Sequence, residues 1–174
     1  MWCGVFQESS LENVKLPSSL KRIEYSAFED CQNLQSIELP SRLEHIGMRC
    51  FKGSALISVR LPPALKAIEE DTFCECESLK TVAFPEGLER IGVEAFAESG
   101  IENIELPPSL RTIAQAAFCY CENLSTVKFN EGLEVLGTNE YRNNGDAYCG
   151  VFLGSSVERV ELPATLKRIE YNAF

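Results

Sequence analysis

The amino-acid sequence predicts a β-rich α/β solenoid in which coils of 22 or 23 residues stack on one another. Three observations predict it: a phenylalanine recurs at this spacing, a Leu-Pro pair recurs in register with it, and a column of aliphatic residues follows each pair. A unit this short cannot bury its own apolar face, so successive units must pack together. The recurring phenylalanines are Phe6, Phe28, Phe51, Phe73, Phe96, Phe118, Phe152 and Phe174.

Each coil is predicted to contain one β-strand followed by a turn. In the segment 34–39, Leu-Gln-Ser-Ile-Glu-Leu, the isoleucine and the last leucine point inward and the serine and glutamate outward, which is the alternation of a strand. Pro40 has no amide hydrogen to donate and ends the pairing. In the segment 25–34 an inward residue occurs at every third position, which favours a short 3₁₀ segment. We therefore expect a parallel β-sheet on one face and short turns or 3₁₀ segments on the other.

The whole chain, residues 1–174, is expected to form a single solenoid of about seven coils with a loop insertion at 138–148. A longer repeat is superimposed on the coils, because residues 2–28 match residues 148–174 at 18 of 27 positions. We therefore expect the chain to be a piece of a longer array, with truncated ends.

The coils resemble the BspA-type subclass of leucine-rich repeats. The resemblance lies in the Leu-Pro pair, the isoleucine column and a turn of the form Ala-Phe-x-x-Cys-x-x-Leu, seen at 27–34 and again at 117–124. It implies a protein-recognition scaffold without catalytic residues, and many relatives are surface proteins of bacteria and protists implicated in adhesion. The alternative is a structural subunit or scaffold inside a larger intracellular assembly, favoured by unpaired thiols and by the lack of a signal-peptide pattern at the start. The compartment is therefore left open between the cell surface and the cell interior.

The charge and apolar composition limit the classes of partner that are expected. Lys and Arg number 16 against 26 Asp and Glu, a net charge of −10 that disfavours nucleic acid and anionic membranes. No apolar run approaches the ~20 residues of a membrane span, so no membrane insertion by this segment is expected. We therefore expect protein partners and no cofactor.

Serine and cysteine alternate three residues after each phenylalanine, which makes the true period a pair of coils, 45 residues long. Cysteines two coils apart are separated by about 10 Å, too far for a disulfide, so these residues are interpreted as a ladder of buried structural side chains. The Cys-x-Cys pairs at 74–76 and 119–121 look like zinc half-sites, but the same spacing keeps them apart, and no metal site is expected. Cys3, Cys74, Cys119 and Cys149 are left without a role. The ladder comprises Ser9, Cys31, Ser54, Cys76, Ser99, Cys121 and Ser155.

No enzyme is expected. His45 is the single histidine and occupies a variable outward column, and a Cys50–His45 nucleophile pair would have no third group to orient it. A second outward column alternates in charge, which places opposite charges against each other in successive coils. It comprises Lys21, Glu44, Lys66, Glu89, Arg111, Glu134 and Lys167.

The insertion is the one segment that the solenoid does not require. Insertions in repeat proteins form loops on one face, often the binding face, and aromatic and arginine side chains commonly anchor interfaces. The outward strand columns contain no aromatic residue, whereas the insertion does. We therefore predict that partner contacts are made by Tyr141, Arg142, Asp146 and Tyr148, and by Trp2, which aligns with Tyr148 in the longer repeat.

Overall fold

The computed structural model describes residues 4–138, 150–170 and 173–174 and shows a β-solenoid of about five stacked parallel turns. The described residues contain eleven strands, each two to four residues long. The strands are β1 Arg22–Ile23, β2 His45–Ile46, β3 Ser58–Arg60, β4 Ala67–Ile68, β5 Thr81–Ala83, β6 Arg90–Ile91, β7 Asn103–Glu105, β8 Thr112–Ala114, β9 Thr126–Lys128, β10 Val135–Thr138 and β11 Arg168–Ile169.

The most continuous sheet forms along the isoleucine column. It has five parallel strands in the order β11-β10-β8-β6-β4, and β1 pairs with β2 in the same way. Ile68 is in register with Ile91, which is in register with Ile113, and all three side chains are buried. The sequence predicts this column to be apolar but not to be a strand, so each central coil has one more β-segment than expected.

On the face where the sequence predicts the parallel sheet, the described residues form two separate parallel strand pairs, β3 with β5 and β7 with β9. Their inward and outward alternation is that of the prediction: Val59 is buried between exposed Ser58 and Arg60. The segment 34–39 follows the same alternation without forming a strand, with Ile37 and Leu39 packed against the core.

The turns that carry the phenylalanines are not helical, which corrects both the expected 3₁₀ segments and the α component of the predicted fold class. Neither an α-helix nor a 3₁₀ helix occurs in the described residues. Single bonds of the 3₁₀ type do form, from Glu29 N to Ser26 O (3.2 Å) and from Cys31 N to Phe28 O (3.4 Å). They do not follow one another because Ser26 and Asp30 have φ of 52° and 56°, and a right-handed turn cannot continue through a left-handed residue.

Left-handed residues recur two positions before and two positions after the phenylalanine. With this geometry every second amide of the turn donates to the next coil, as in Ser26 N to Met48 O (3.0 Å) and Phe28 N to Cys50 O (2.8 Å). The turns thus add a further ladder of inter-coil hydrogen bonds. Its left-handed residues other than glycine are Glu8, Ser26, Asp30, Arg49, Asp71, Glu75, Glu94, Glu98, Ala116 and Tyr120.

Substituting Glu98 by glycine is expected to raise the free energy of unfolding by about 0.5–1 kcal/mol, because glycine adopts positive φ without the steric cost of a Cβ. Glu98 is exposed with φ of 57°, and glycine occupies the equivalent position in two other turns, at Gly53 and Gly154. Urea denaturation followed by circular dichroism measures the change. Glu98→Ala removes the same carboxylate while keeping the Cβ, and an equal gain in that variant would contradict the conformational explanation.

The core is a stack of phenylalanine rings enclosed by aliphatic columns. Neighbouring rings from Phe28 to Phe118 lie 5.3–5.4 Å apart between centroids and within 7° of parallel. The five rings of this stretch are at most 2% exposed, whereas Phe6 is 38% and Phe174 57% exposed. The core therefore runs along the whole axis of the solenoid rather than being concentrated at one centre.

Candidate protein-interaction surface

The residues predicted to anchor a partner, Trp2, Tyr141, Arg142, Asp146 and Tyr148, all lie outside the described residues. Their role stays a prediction, as does the division of the chain into seven coils with an insertion. The described chain reaches Thr138 at the end of β10 and resumes at Gly150, directly before the turn that carries Phe152. Among the described residues, the outward strand face and the turn face are therefore the surfaces considered for partner binding.

The serine–cysteine positions face the core and contact each other across coils. Each of the three cysteine thiols of the ladder donates a hydrogen bond to the backbone carbonyl oxygen of the phenylalanine in the preceding coil, at 3.0–3.1 Å. The same thiol lies 3.4–3.5 Å from the hydroxyl of the ladder serine in that coil. Burial raises the pKa of the Cys76 thiol to about 11 and also raises the pKa of Cys121, so both thiols remain protonated at neutral pH. The coupled pairs are Ser9 with Cys31, Ser54 with Cys76 and Ser99 with Cys121.

The Ser155 hydroxyl donates to the carbonyl oxygen of Phe152 within its own turn at 2.7 Å. Thus the seven ladder positions divide into three inter-coil pairs and one local bond.

The other described cysteines are also buried and form no disulfide among the described residues. Cys74 and Cys119, which the sequence leaves without a role, pack with Ala97 and Ala116 in a small second cluster beside the main core. Cys50 is buried against the phenylalanine stack, and desolvation strongly raises the pKa of its thiol. A buried, protonated thiol is a poor nucleophile.

His45 is partly exposed and not aligned with a catalytic partner. Its Nε2 lies 4.0 Å from a carboxylate oxygen of Glu24, too far for a hydrogen bond. The side chain is partly exposed on the strand, in agreement with the outward column predicted from the sequence.

The charged column forms ion pairs between successive coils, which confirms the predicted charge alternation for three pairs. Their N–O distances are 2.9–3.3 Å and both partners are largely exposed, so solvent screens each pair and its contribution to stability is small. These pairs are Lys21 with Glu44, Lys66 with Glu89 and Lys167 with Glu134.

The outward side of β3, β5, β7 and β9 presents small and charged side chains that largely neutralise one another. Lys128 forms an ion pair with Glu105 across the β7–β9 pair, and Lys80 lies 3.4 Å from Glu102 nearby. Ile57, in the same column as Lys80 and Glu102, is a large apolar side chain that is 46% exposed on this side. The paired charges around it offer few further anchors for a protein partner.

The turn face, in contrast, exposes large apolar side chains. Tyr120 is 49% and Leu153 41% exposed, and the two residues are neighbours because Tyr120 N donates to Leu153 O at 2.6 Å. The Tyr120 ring lies over Gly154, where a Cβ would come within 2.4 Å of it. We call Tyr120 and Leu153 the Tyr120 patch.

A polar cleft of about 570 Å³ adjoins the Tyr120 patch, and acidic side chains predominate in its lining. This surface is not among those predicted from the sequence, although one signal was present: Leu153 stands at a position that holds small or polar side chains in the other coils. The cleft is lined by Glu77, Glu98, Ser99, Gly100, Tyr120, Glu122 and Asn123.

A second apolar pair, Tyr25 and Met48, lies at equivalent positions of two successive turns farther along the same face. They are 42% and 40% exposed, and the Tyr25 hydroxyl accepts a hydrogen bond from Arg49 at 3.3 Å.

The described residues contain no helix that is long and apolar enough to cross a membrane. Comparison with curated protein sequences gave no significant match.

Solved structures of bacterial leucine-rich repeat proteins are similar to this chain. A protein from Bacteroides ovatus is 28% identical with a TM-score of 0.70, over 87% of this chain and 41% of its own. The leucine-rich repeat protein of T. pallidum is 31% identical with a TM-score of 0.67, over 70% of this chain and 60% of its own. A protein from Eubacterium ventriosum shares the fold, with a TM-score of 0.62 at 17% identity, over 91% of this chain and 41% of its own. The chain thus matches 41–60% of the length of these relatives.

One protein family matches the sequence of the chain along almost its whole length. The BspA-type leucine-rich repeat region matches residues 3–125 and 44–174, with six copies of the repeat. Together with the recurring Leu-Pro pair and the stacked parallel turns, this match identifies the chain as a member of the BspA-type leucine-rich repeat family.

Proposed function

We propose that this chain is a non-enzymatic protein-interaction scaffold that binds its partner with the turn face around the Tyr120 patch and the segment 139–149. The observation that carries the proposal is the exposure of Tyr120 and Leu153, side by side, where the chain resumes after that segment. Interface energy concentrates in a few aromatic, apolar and arginine anchors, and Tyr141 and Arg142 are of the residue types that serve as such anchors.

The chemistry of the adjoining cleft indicates the kind of partner. Glu77, Glu98 and Glu122 line it next to the Tyr120 ring, and the whole chain has a net charge of −10. A partner segment that combines an apolar side chain with lysine or arginine would match both features, and its approach would be accelerated by the electrostatic field of the chain.

A scaffold rather than an enzyme is supported by the state of the reactive side chains. Cys50, Cys76 and Cys121 are buried with raised pKa values, and His45 faces outward beside Glu24. The thiols lack the partial exposure that a catalytic thiol needs, and His45 lacks a hydrogen-bonded orienting partner.

Adhesion or surface display is the finer part of the proposal and is supported by the resemblance to the family. The free thiols, which favour a reducing compartment in the sequence, are a weak argument against it, because the described ones are all buried and thereby shielded from oxidants. Cleavage of the parent protein by protease added to intact cells would support display, and protection until lysis would support the intracellular scaffold.

The proposed surface is tested by capture from native extract followed by affinity measurement with the purified partner. Tyr120→Ala is expected to weaken binding by about 30-fold, since truncating an anchor costs about 2 kcal/mol. Lys128→Glu on the outward strand face is the control and should leave binding unchanged. Loss of binding with Lys128→Glu, together with full binding by Tyr120→Ala, would place the interface on the strand face instead.

A further inference from the structure

We infer that Asp71, Cys74 and Glu94 form a binding site for a zinc ion on the turn face. Their potential ligand atoms, two carboxylate oxygens and one thiol sulfur, all lie within 4.8 Å of one another. Asp71 and Cys74 belong to the turn that carries Phe73, and Glu94 stands in the next turn at the position equivalent to Asp71. The site thus bridges two coils.

The left-handed turn conformation brings these residues together. Asp71 and Glu94 have φ of 56° and 52°, and Asp71 N donates to Val93 O of the next coil at 3.0 Å. Within the turn, Cys74 N donates to Asp71 O at 3.2 Å, which folds the two side chains to the same side. The backbone thus holds the Cα atoms of the three residues in adjoining turns, within reach of one another.

A carboxylate oxygen of Asp71 that lacks a hydrogen-bond partner is independent evidence for a ligand at this position. The Asp71 side chain is 9% exposed, and its Oδ1 is buried without a hydrogen-bond partner. Leaving a buried carboxylate oxygen unpaired is costly, and native proteins ordinarily satisfy such an atom with a hydrogen bond, a water or an ion. The other oxygen, Oδ2, lies 3.8 Å from Arg49 Nε, which also lies 3.6 Å from Glu29 and is thus shared between two carboxylates.

The mixed ligand set favours zinc over magnesium or calcium, which prefer oxygen ligands alone. Zinc accepts one thiolate and two carboxylates in tetrahedral geometry and leaves a fourth position for water. Neighbouring ligand atoms are about 3.5 Å apart around tetrahedral zinc, so small side-chain rotations would close the site. Glu94 is half-buried and gives the ion a route from solvent, while Cys74 is almost fully buried.

A bound ion would relieve most of the negative charge at the site. A Cys74 thiolate and the carboxylates of Asp71 and Glu94 carry three negative charges, of which zinc neutralises two, while Arg49 is shared between Asp71 and Glu29. Lys52, the other cation nearby, is paired with Glu75 at 2.8 Å.

Titration of the 174-residue chain with Co²⁺ tests the site, because a cobalt–thiolate bond produces a charge-transfer absorption band. We expect one cobalt ion per chain with such a band, displaced by one equivalent of zinc. Cys74→Ala should abolish the band. Cys119→Ala is the matched control, because Cys119 occupies the same turn position 45 residues later and is equally buried, and its turn has Ala116 where Asp71 stands; the band should be unchanged.

Glu94→Gln keeps the thiol and the buried turn intact and guards against loss of fold in the cysteine variant. It is expected to weaken cobalt binding about 10–100-fold, in the range found when the groups around a metal are altered. The inference is overturned if the wild-type chain shows no thiolate–cobalt band at millimolar cobalt, or if the band survives in Cys74→Ala or vanishes in Cys119→Ala.

Discussion

Replacing Phe96 by alanine is expected to lower the free energy of unfolding by about 3–5 kcal/mol, the range for truncating a buried phenylalanine. The Phe96 ring is fully buried, stacks on Phe73 and Phe118 at 5.3 Å and meets the edge of Phe84 at 5.8 Å. Its removal leaves a cavity in the middle of the stack that both flanking coils must tolerate. Because each coil is stabilised only by its neighbours, the loss should also reduce the cooperativity of unfolding.

Urea denaturation followed by circular dichroism measures this loss, and Phe6→Ala is its control. Phe6 contacts one ring of the stack and is already 38% exposed, so its truncation should cost about 1–2 kcal/mol. Equal losses at the two positions would contradict the view that burial and stacking on both sides inside the solenoid determine the cost of truncation.

Replacing Gly132 by alanine is expected to lower the free energy of unfolding by about 3 kcal/mol, the sum of backbone strain and overpacking. Gly132 has φ of 140°, and a Cβ there would lie 2.0 Å from the carbonyl oxygen of Pro108 in the preceding coil. Neither the φ nor the contact can relax without separating the two coils. The carbonyl oxygen of Gly132 also accepts a hydrogen bond from Arg111 at 2.8 Å, which such a movement would stretch.

Gly87 provides a control for Gly132 within the same chain, because it stands 45 residues earlier at the equivalent corner. A Cβ at Gly87 meets only the flexible end of Lys66, at 3.1 Å. Gly87→Ala should therefore be neutral, or stabilising by up to about 1 kcal/mol through the unfolded state. Thermal unfolding of the two variants side by side separates the explanations, and equal destabilisation would mean that loss of a glycine, rather than the contact with Pro108, is responsible.

Much of the fold could be predicted from the sequence because each inward column keeps one kind of side chain through all coils. The isoleucine, leucine and phenylalanine columns had to face a common axis, and the structure buries them there in the central coils, whereas Phe6, Ile169 and Phe174 in the outer coils are exposed. The second strand of each coil was missed because β1, β2, β4 and β6 are only two residues long, too short for alternation to be visible.

The turn conformation could not be predicted, for a physical reason. Left-handed residues are normally recognised by glycine or asparagine, whereas Glu98, Arg49 and Tyr120 adopt positive φ because hydrogen bonds to the next coil hold them there. The residue two positions before a phenylalanine therefore becomes a neighbour of the residue one position after it. Asp71 and Cys74, on either side of Phe73, come together in this way. Similarly, Leu153 was not recognised as part of an interaction surface, because its exposure depends on the turn and not on its hydrophobicity.

The coupling of each serine coil to the following cysteine coil has a consequence for the evolution of the array. Recombination between repeats that adds or removes 45 residues regenerates every contact between a cysteine thiol and a phenylalanine carbonyl, as between Cys76 and Phe51. A crossover that adds or removes a single coil would instead place two coils of one kind side by side, either burying a second thiol against the first or leaving a serine without its partner. Gene variants of this array should therefore differ in length by even numbers of coils, and the genomic sequences of related strains would reveal this as steps of about 135 base pairs, three for each of the 45 residues.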